Sequence, residues 1–158
     1  MHVNDTDLRM LIAFDGSEEA RRALSSAARL LRPRAVDILT AFEPLHKQAA
    51  RAAGGAGMKQ ADWTQIAGDD PAYAEALATC QEGVALAEEL GLVARAHLVE
   101  STTAIWSAIV DAAEELKPDV IVTGTRAVTG IRSLWQSSTA DNVMNHAGLP
   151  VFIVPPES

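Results

Sequence analysis

Apolar runs of strand length recur along the chain at residues 8–14, 35–42, 92–99, 119–124 and 150–155, and segments with helical spacing separate them. Residues 18–31 repeat apolar positions at Ala20, Leu24, Ala27 or Ala28, and Leu31. Ser17 stands where a cap is needed, and Glu18 and Glu19 sit at the positive end of the helix dipole. Residues 71–90 and 102–116 show the same spacing. In the second of these, Ile105, Ile109, Ala112 and Leu116 form one stripe, Trp106 and Val110 broaden it, and Pro118 forces an exit. A last helix over 138–147 stops at Gly148, ahead of Pro150.

Strand and helix therefore alternate from end to end, and the first and fourth strands are almost unbroken apolar sequence, as strands covered on both faces are. The pattern predicts an α/β fold: an open, doubly wound sheet of five parallel strands with helices on both faces. Right-handed crossovers make the carboxyl ends of the strands a shared rim, and ligands of such sheets bind where the strand order reverses. Function is expected after residues 14, 42 and 124. Residues 43–70 break the rhythm: glycines at 54, 55 and 57 and the closing "GDDP" mark a long connection, with a short helix over 46–53. It is either a lid over the rim or an insertion without fixed structure.

With 158 residues the chain suffices for one ordinary core, so a single domain over 1–158 is expected. A formal net charge of −8 argues against a nucleic-acid backbone as partner, because phosphates would be repelled. The one cysteine, Cys80, allows no internal disulfide and reads as a small apolar side chain on a helix. No run approaches the roughly 20 apolar residues that span a bilayer, and a cytoplasmic location is expected. His2, His46, His97 and His146 have no metal-site spacing, and Ser17, Ser137 and Ser138 have no identifiable base and acid partners, so neither a metal centre nor a triad is expected.

Two rim loops hold candidate chemistry. In "FDGSEEA", Asp15 leaves the first strand, Gly16 permits a tight turn and Ser17 opens a helix; the carboxylate can accept from a ligand or cap its own turn. In "GTRAVTGIRSLWQSST", residues 124–139, Gly124 ends the fourth strand, Gly130 breaks the loop and Ser138 begins "STAD", which fits a capping box. The free N–H groups of such a helix start either take the cap or hold a phosphate, to which Arg126 and Arg132 could add charge. Trp135 beside this loop reads as packing, and Trp63 in the insertion has no assigned place. Neither a Walker loop nor a GxGxxG fingerprint is present.

The chain resembles the universal stress protein family through "MLIAFDGSEEARRAL", "DILTAFEP", "IVDAAEELKPDVIVTGTR" and "HAGLPVFIVP", weakening only over 43–70. The resemblance implies a Rossmann-like fold of the adenine-nucleotide alpha-hydrolase type. The family's nucleotide binders carry G-x2-G-x9-G-[S/T] after the fourth strand. Here Gly124 takes the first glycine position, Ala127 the second, Ser137 the third, and Ser138 keeps the final hydroxyl, with no insertion or deletion. A methyl where φ > 0 or close approach is required costs roughly 1 kcal/mol or blocks contact, while the Ser137 hydroxyl could donate to a phosphate oxygen. The implied ATP binding is weak or lost. Asp15 and Ala41 match positions that contact the adenosine part, with Ala41 contributing backbone groups. The family also implies a homodimer through the last strand, "PVFIVPP", which is expected at a sheet edge. The implied protein is a non-catalytic stress-response regulator that passes its state to an unidentified protein partner. A working ATP or AMP sensor is the alternative, and a slow nucleotide hydrolase a weaker one.

Overall fold

The computed structural model describes residues 7–44, 70–100, 105–124 and 139–155. In chain order these form β1 (Arg9–Ala13), α1 (Glu18–Leu31), β2 (Ala35–Phe42), α2 (Pro71–Glu89), β3 (Val93–Glu100), α3 (Ile105–Leu116), β4 (Val120–Gly124), α4 (Thr139–Ala147) and β5 (Val151–Val154). The five strands make one all-parallel sheet in the order β3-β2-β1-β4-β5. The order reverses between β1 and β4, and β5 lies at an edge, as the sequence predicts.

Local chemistry sets the helix boundaries. The Ser17 hydroxyl accepts from the Ala20 N–H at 3.2 Å, Glu18 and Glu19 occupy the first turn, and Arg32 closes α1 in the left-handed region at φ 49°. Asp70 caps α2 by accepting from the Ala72 N–H at 2.8 Å, with Pro71 in the first turn, where its missing N–H costs nothing. The apolar stripes then decide which side each helix takes. Ala20, Ala23, Leu24 and Ala27 of α1 and Cys80 and Ala87 of α2 pack with Met10, Ile12, Val36, Ile38 and Val122 on one face, here the front. Ile109, Ala112 and Ala113 of α3 and Val143 of α4 pack with Leu11, Leu39 and Ile121 on the back.

Each strand thus feeds two cores by alternation, and β1 and β4 are buried along their centres. Cys80 is fully buried, its S–H directed at the Ile38 carbonyl at 3.3 Å, in the packing role expected of it. The Arg22 Nε donates to the Pro155 carbonyl at 3.0 Å and ties α1 to the chain leaving β5. The expected helix over 46–53, most of the 43–70 insertion, and His2, His46 and Trp63 lie outside the described residues.

Candidate functional site

The rim at the order reversal is built by register. Ala13 pairs with Leu39 across β1 and β2, and Ile12 with Val122 across β1 and β4. The Phe14 N–H donates to the Leu39 carbonyl at 2.8 Å and the Thr40 hydroxyl to the Phe14 carbonyl at 2.8 Å, which carries β1 one residue beyond the ladder. The same register taken upward aligns Asp15 with Ala41 and Phe14 with Gly124. Three residues singled out from sequence, Asp15, Ala41 and Gly124, therefore meet at the ends of three neighbouring strands. Ala127, Ser137 and Ser138, with Arg126, Gly130, Arg132 and Trp135, lie outside the described residues.

Asp15 is exposed, and its Oδ1 accepts from both the N–H of Ser17, at 3.0 Å, and the Ser17 hydroxyl. Gly16 makes this turn at φ 79°, a conformation that side chains resist. The Ser17 oxygen meanwhile accepts from Ala20, so one hydroxyl links the carboxylate to the helix start. Of the two readings open from sequence, the turn-capping one is realised by Oδ1, and it fixes the direction in which the carboxylate faces the rim.

Gly124 has a reason that sequence did not supply. A Cβ built there would stand 2.8 Å from the Glu19 carbonyl oxygen and 3.3 Å from its carbon. The first turn of α1 passes directly over the end of β4, and only a residue without a side chain lets the backbones approach so closely. The same glycine that opens the family's loop pattern thus seats the helix that carries the Asp15 turn.

One cluster went unread in the sequence. Asp37, with 3% of its side chain exposed, lies on the back of β2 and accepts from the Arg9 Nη2 at 3.3 Å and the Arg95 Nε at 3.0 Å, with the His97 Nε2 at 2.8 Å from the same Oδ1 as Arg95. Against a carboxylate that already accepts from two guanidinium groups, the His97 nitrogen is the donor. A charged residue inside the apolar run "AVDILTAF" was the available clue. The cluster staples β1, β2 and β3 together; it does not touch the rim. His146 stacks on Trp106, with ring centroids 4.6 Å apart, and joins α4 to α3. Among the described residues, no group of three or more His, Cys, Asp or Glu side chains could hold a metal ion, and no helix is long and apolar enough to cross a membrane.

A parallel sheet in the order 3-2-1-4-5, with a capped turn after β1 facing a glycine at the end of β4, defines an α/β protein of the doubly wound, Rossmann-like architecture. More specifically, residues 8–155 match the model of the universal stress protein family, and the chain belongs to that family. Universal stress protein MJ0531 of Methanocaldococcus jannaschii is 36% identical over 69 residues, which span 44% of this chain and 39% of that protein. A universal stress protein solved in complex with cAMP superposes with a TM-score of 0.66 at 23% identity, covering 94% of this chain and 97% of its own. A family member from Arabidopsis thaliana with AMP bound gives 0.64 at 14% identity, covering 96% and 93%. At these identities the two structural likenesses are likenesses of fold.

Proposed function

We propose that this chain is a non-catalytic regulator of the stress response whose pocket keeps the adenosine end of a nucleotide site and has lost most of its hold on the phosphates. The observation that carries this reading is the loop after β4: its spacing is intact, yet Ala127 and Ser137 stand at two of three glycine positions. Added Cβ atoms keep a ligand's phosphate away from backbone N–H groups that a glycine would leave open. The adenosine end fits what the rim offers. Asp15 holds an exposed carboxylate in a fixed turn, Ala41 ends the adjacent strand with backbone groups, and Gly124 completes the floor. By the family's pattern, the Ser138 hydroxyl would be the remaining phosphate contact. The protein would act in the cytoplasm as a homodimer through β5.

The ligands named for the two solved relatives, cAMP and AMP, each carry one phosphate. They favour a second reading, a working adenine-nucleotide sensor, and the two readings separate by ligand. Equilibrium binding of fluorescent AMP and ATP analogues, competed with the unlabelled nucleotides at physiological magnesium, is the test. Under the first reading ATP gains no affinity over AMP, since the extra phosphates meet no receptive loop. Saturable ATP binding at micromolar concentration, tenfold tighter than AMP or better, would sink it.

A further inference from the structure

Among the described residues four polar or charged ones are buried: Asp37, Thr40, Asp70 and Thr123. Three of them hold the fold together. Asp37 joins β1, β2 and β3, the Thr40 hydroxyl donates from β2 to β1, and Asp70 caps α2. Thr123, 5% exposed, joins nothing: its hydroxyl donates to the carbonyl of the next residue, Gly124, at 3.1 Å. A hydroxyl also has two acceptor lone pairs, and among the described residues no N–H or O–H donates to those of Thr123. Buried polar groups are normally satisfied, so this oxygen calls for a partner. Its position supplies one. Gly124 ends β4, so the bond to its carbonyl turns the hydroxyl toward the carboxyl end of the strands, the rim. By alternation Thr123 shares the back of the sheet with Ile121. The pairing of β1 with β4, continued by one residue, sets it beside Ala13, and Ala41 and Asp15 follow on the same face one step nearer the rim. Ala13 is only half-buried although it lies in the central strand, between Ile12 and Phe14 in the core. The back of the rim is thus open down to the Ala13 methyl. Paired strands lie about 4.8 Å apart, so a group resting on that methyl is within reach of the Thr123 oxygen.

We propose that Thr123 reads the base of a bound adenine nucleotide, its hydroxyl oxygen accepting a hydrogen bond from the exocyclic amine. This rests on the reading of the rim as an adenosine site and assigns the part that recognises the base. The chemistry divides along the opening. The Ala13 and Ala41 methyls make an apolar floor that suits the flat base, and the exposed Asp15 carboxylate at the mouth suits ribose hydroxyls, as carboxylates do in other doubly wound sheets. Because the Thr123 proton is held by the Gly124 carbonyl, the oxygen is left to accept, and the amine is the donor on the edge of adenine. A purine with a carbonyl in that place sets acceptor against acceptor, and a site built for a donor discriminates against it.

Competition against a fluorescent AMP analogue, on the full chain, tests this with AMP, 2′-deoxy-AMP and purine riboside 5′-monophosphate, which has hydrogen in place of the amine. Wild type is expected to bind AMP about threefold more tightly than the purine analogue, or better. Thr123→Val, which removes the oxygen and keeps the shape, should weaken AMP by the same factor and leave the purine analogue nearly unchanged. Thr123→Ser, which restores the oxygen, should return AMP to within about twofold of wild type. A merely structural role would weaken both nucleotides alike, and the urea midpoint of Thr123→Val should not fall, since the hydroxyl ties no second element. If the valine variant loses its native amide spectrum, the wild-type preference for AMP over the purine analogue decides, and its absence overturns the proposal. Unchanged AMP affinity in Thr123→Val, or equal weakening of the two nucleotides, overturns the role of Thr123 and leaves the adenosine site standing. So does a valine effect that vanishes with 2′-deoxy-AMP instead, which would make the ribose the donor. No saturable AMP binding by wild type up to millimolar nucleotide would remove the site itself, and the proposal with it.

Discussion

Gly124→Ala tests the contact on which both the fold and the rim depend. Gly124 does not adopt positive φ, so its backbone conformation accepts alanine and the whole penalty is steric. The new Cβ would meet the Glu19 carbonyl oxygen at 2.8 Å, and both partners are backbone, one in a strand between β1 and β5 and one in the first turn of a packed helix. Neither can rotate away. Overpacking of this kind costs about 1–3 kcal/mol, and the smaller unfolded-state entropy of alanine returns about 0.4–1 kcal/mol. The net expectation is a destabilisation of about 1–2 kcal/mol. With a urea m-value of about 2 kcal/mol/M, the unfolding midpoint should fall by about 0.5–1 M at unchanged slope. Gly91→Ala is the control. Gly91 has φ 86° and nothing within 4 Å of its built Cβ, so alanine there meets conformational strain alone. Amide shifts should spread across residues 15–20 in the Gly124 variant and stay local in the Gly91 one. A Gly124→Ala midpoint within 0.2 M of wild type, with residues 15–20 undisturbed, would refute the close approach.

Three further outcomes are expected. Asp37→Ala removes the acceptor shared by Arg9, Arg95 and His97; because both arginines are exposed enough to turn to water, the loss should be about 1–3 kcal/mol in urea unfolding, and no loss would mean the cluster is idle. Ser17→Ala deletes the α1 cap and one donor to Asp15, which should lower stability by about 1 kcal/mol and the melting temperature by about 2–4 °C; an unchanged melting temperature would contradict the capping geometry. Light scattering at micromolar concentration should give twice the chain mass, since β5 leaves an edge with Ile153 39% exposed; a monomeric mass would count against pairing through that strand.

What could be read from the sequence was what local pattern controls. The expected limits of α1, 18–31, match the structure because its cap, its acidic first turn and its apolar stripe all lie within fifteen residues of one another. The strand runs fall within a residue of β1 to β5; for β1 and β4 the reason is that an apolar run covered on both faces has few other places to go. The Asp37 cluster was not legible, although its residues are ordinary. Its partners are 28 to 60 positions away and become neighbours only through the pairing of β1 and β3 with β2. The resemblance placed Gly124 in a ligand loop; its packing role depends on where the α1 backbone crosses β4, and no periodicity encodes that.

The proposed function turns on Ala127 and Ser137 weakening the phosphate end of the pocket. The direct measurement is ATP affinity of the wild-type chain against the variant Ala127→Gly with Ser137→Gly, both at physiological magnesium. A gain of tenfold or more, about 1.4 kcal/mol, is predicted for ATP, with AMP affinity changed by less. Equal ATP affinity in the two proteins would contradict the account.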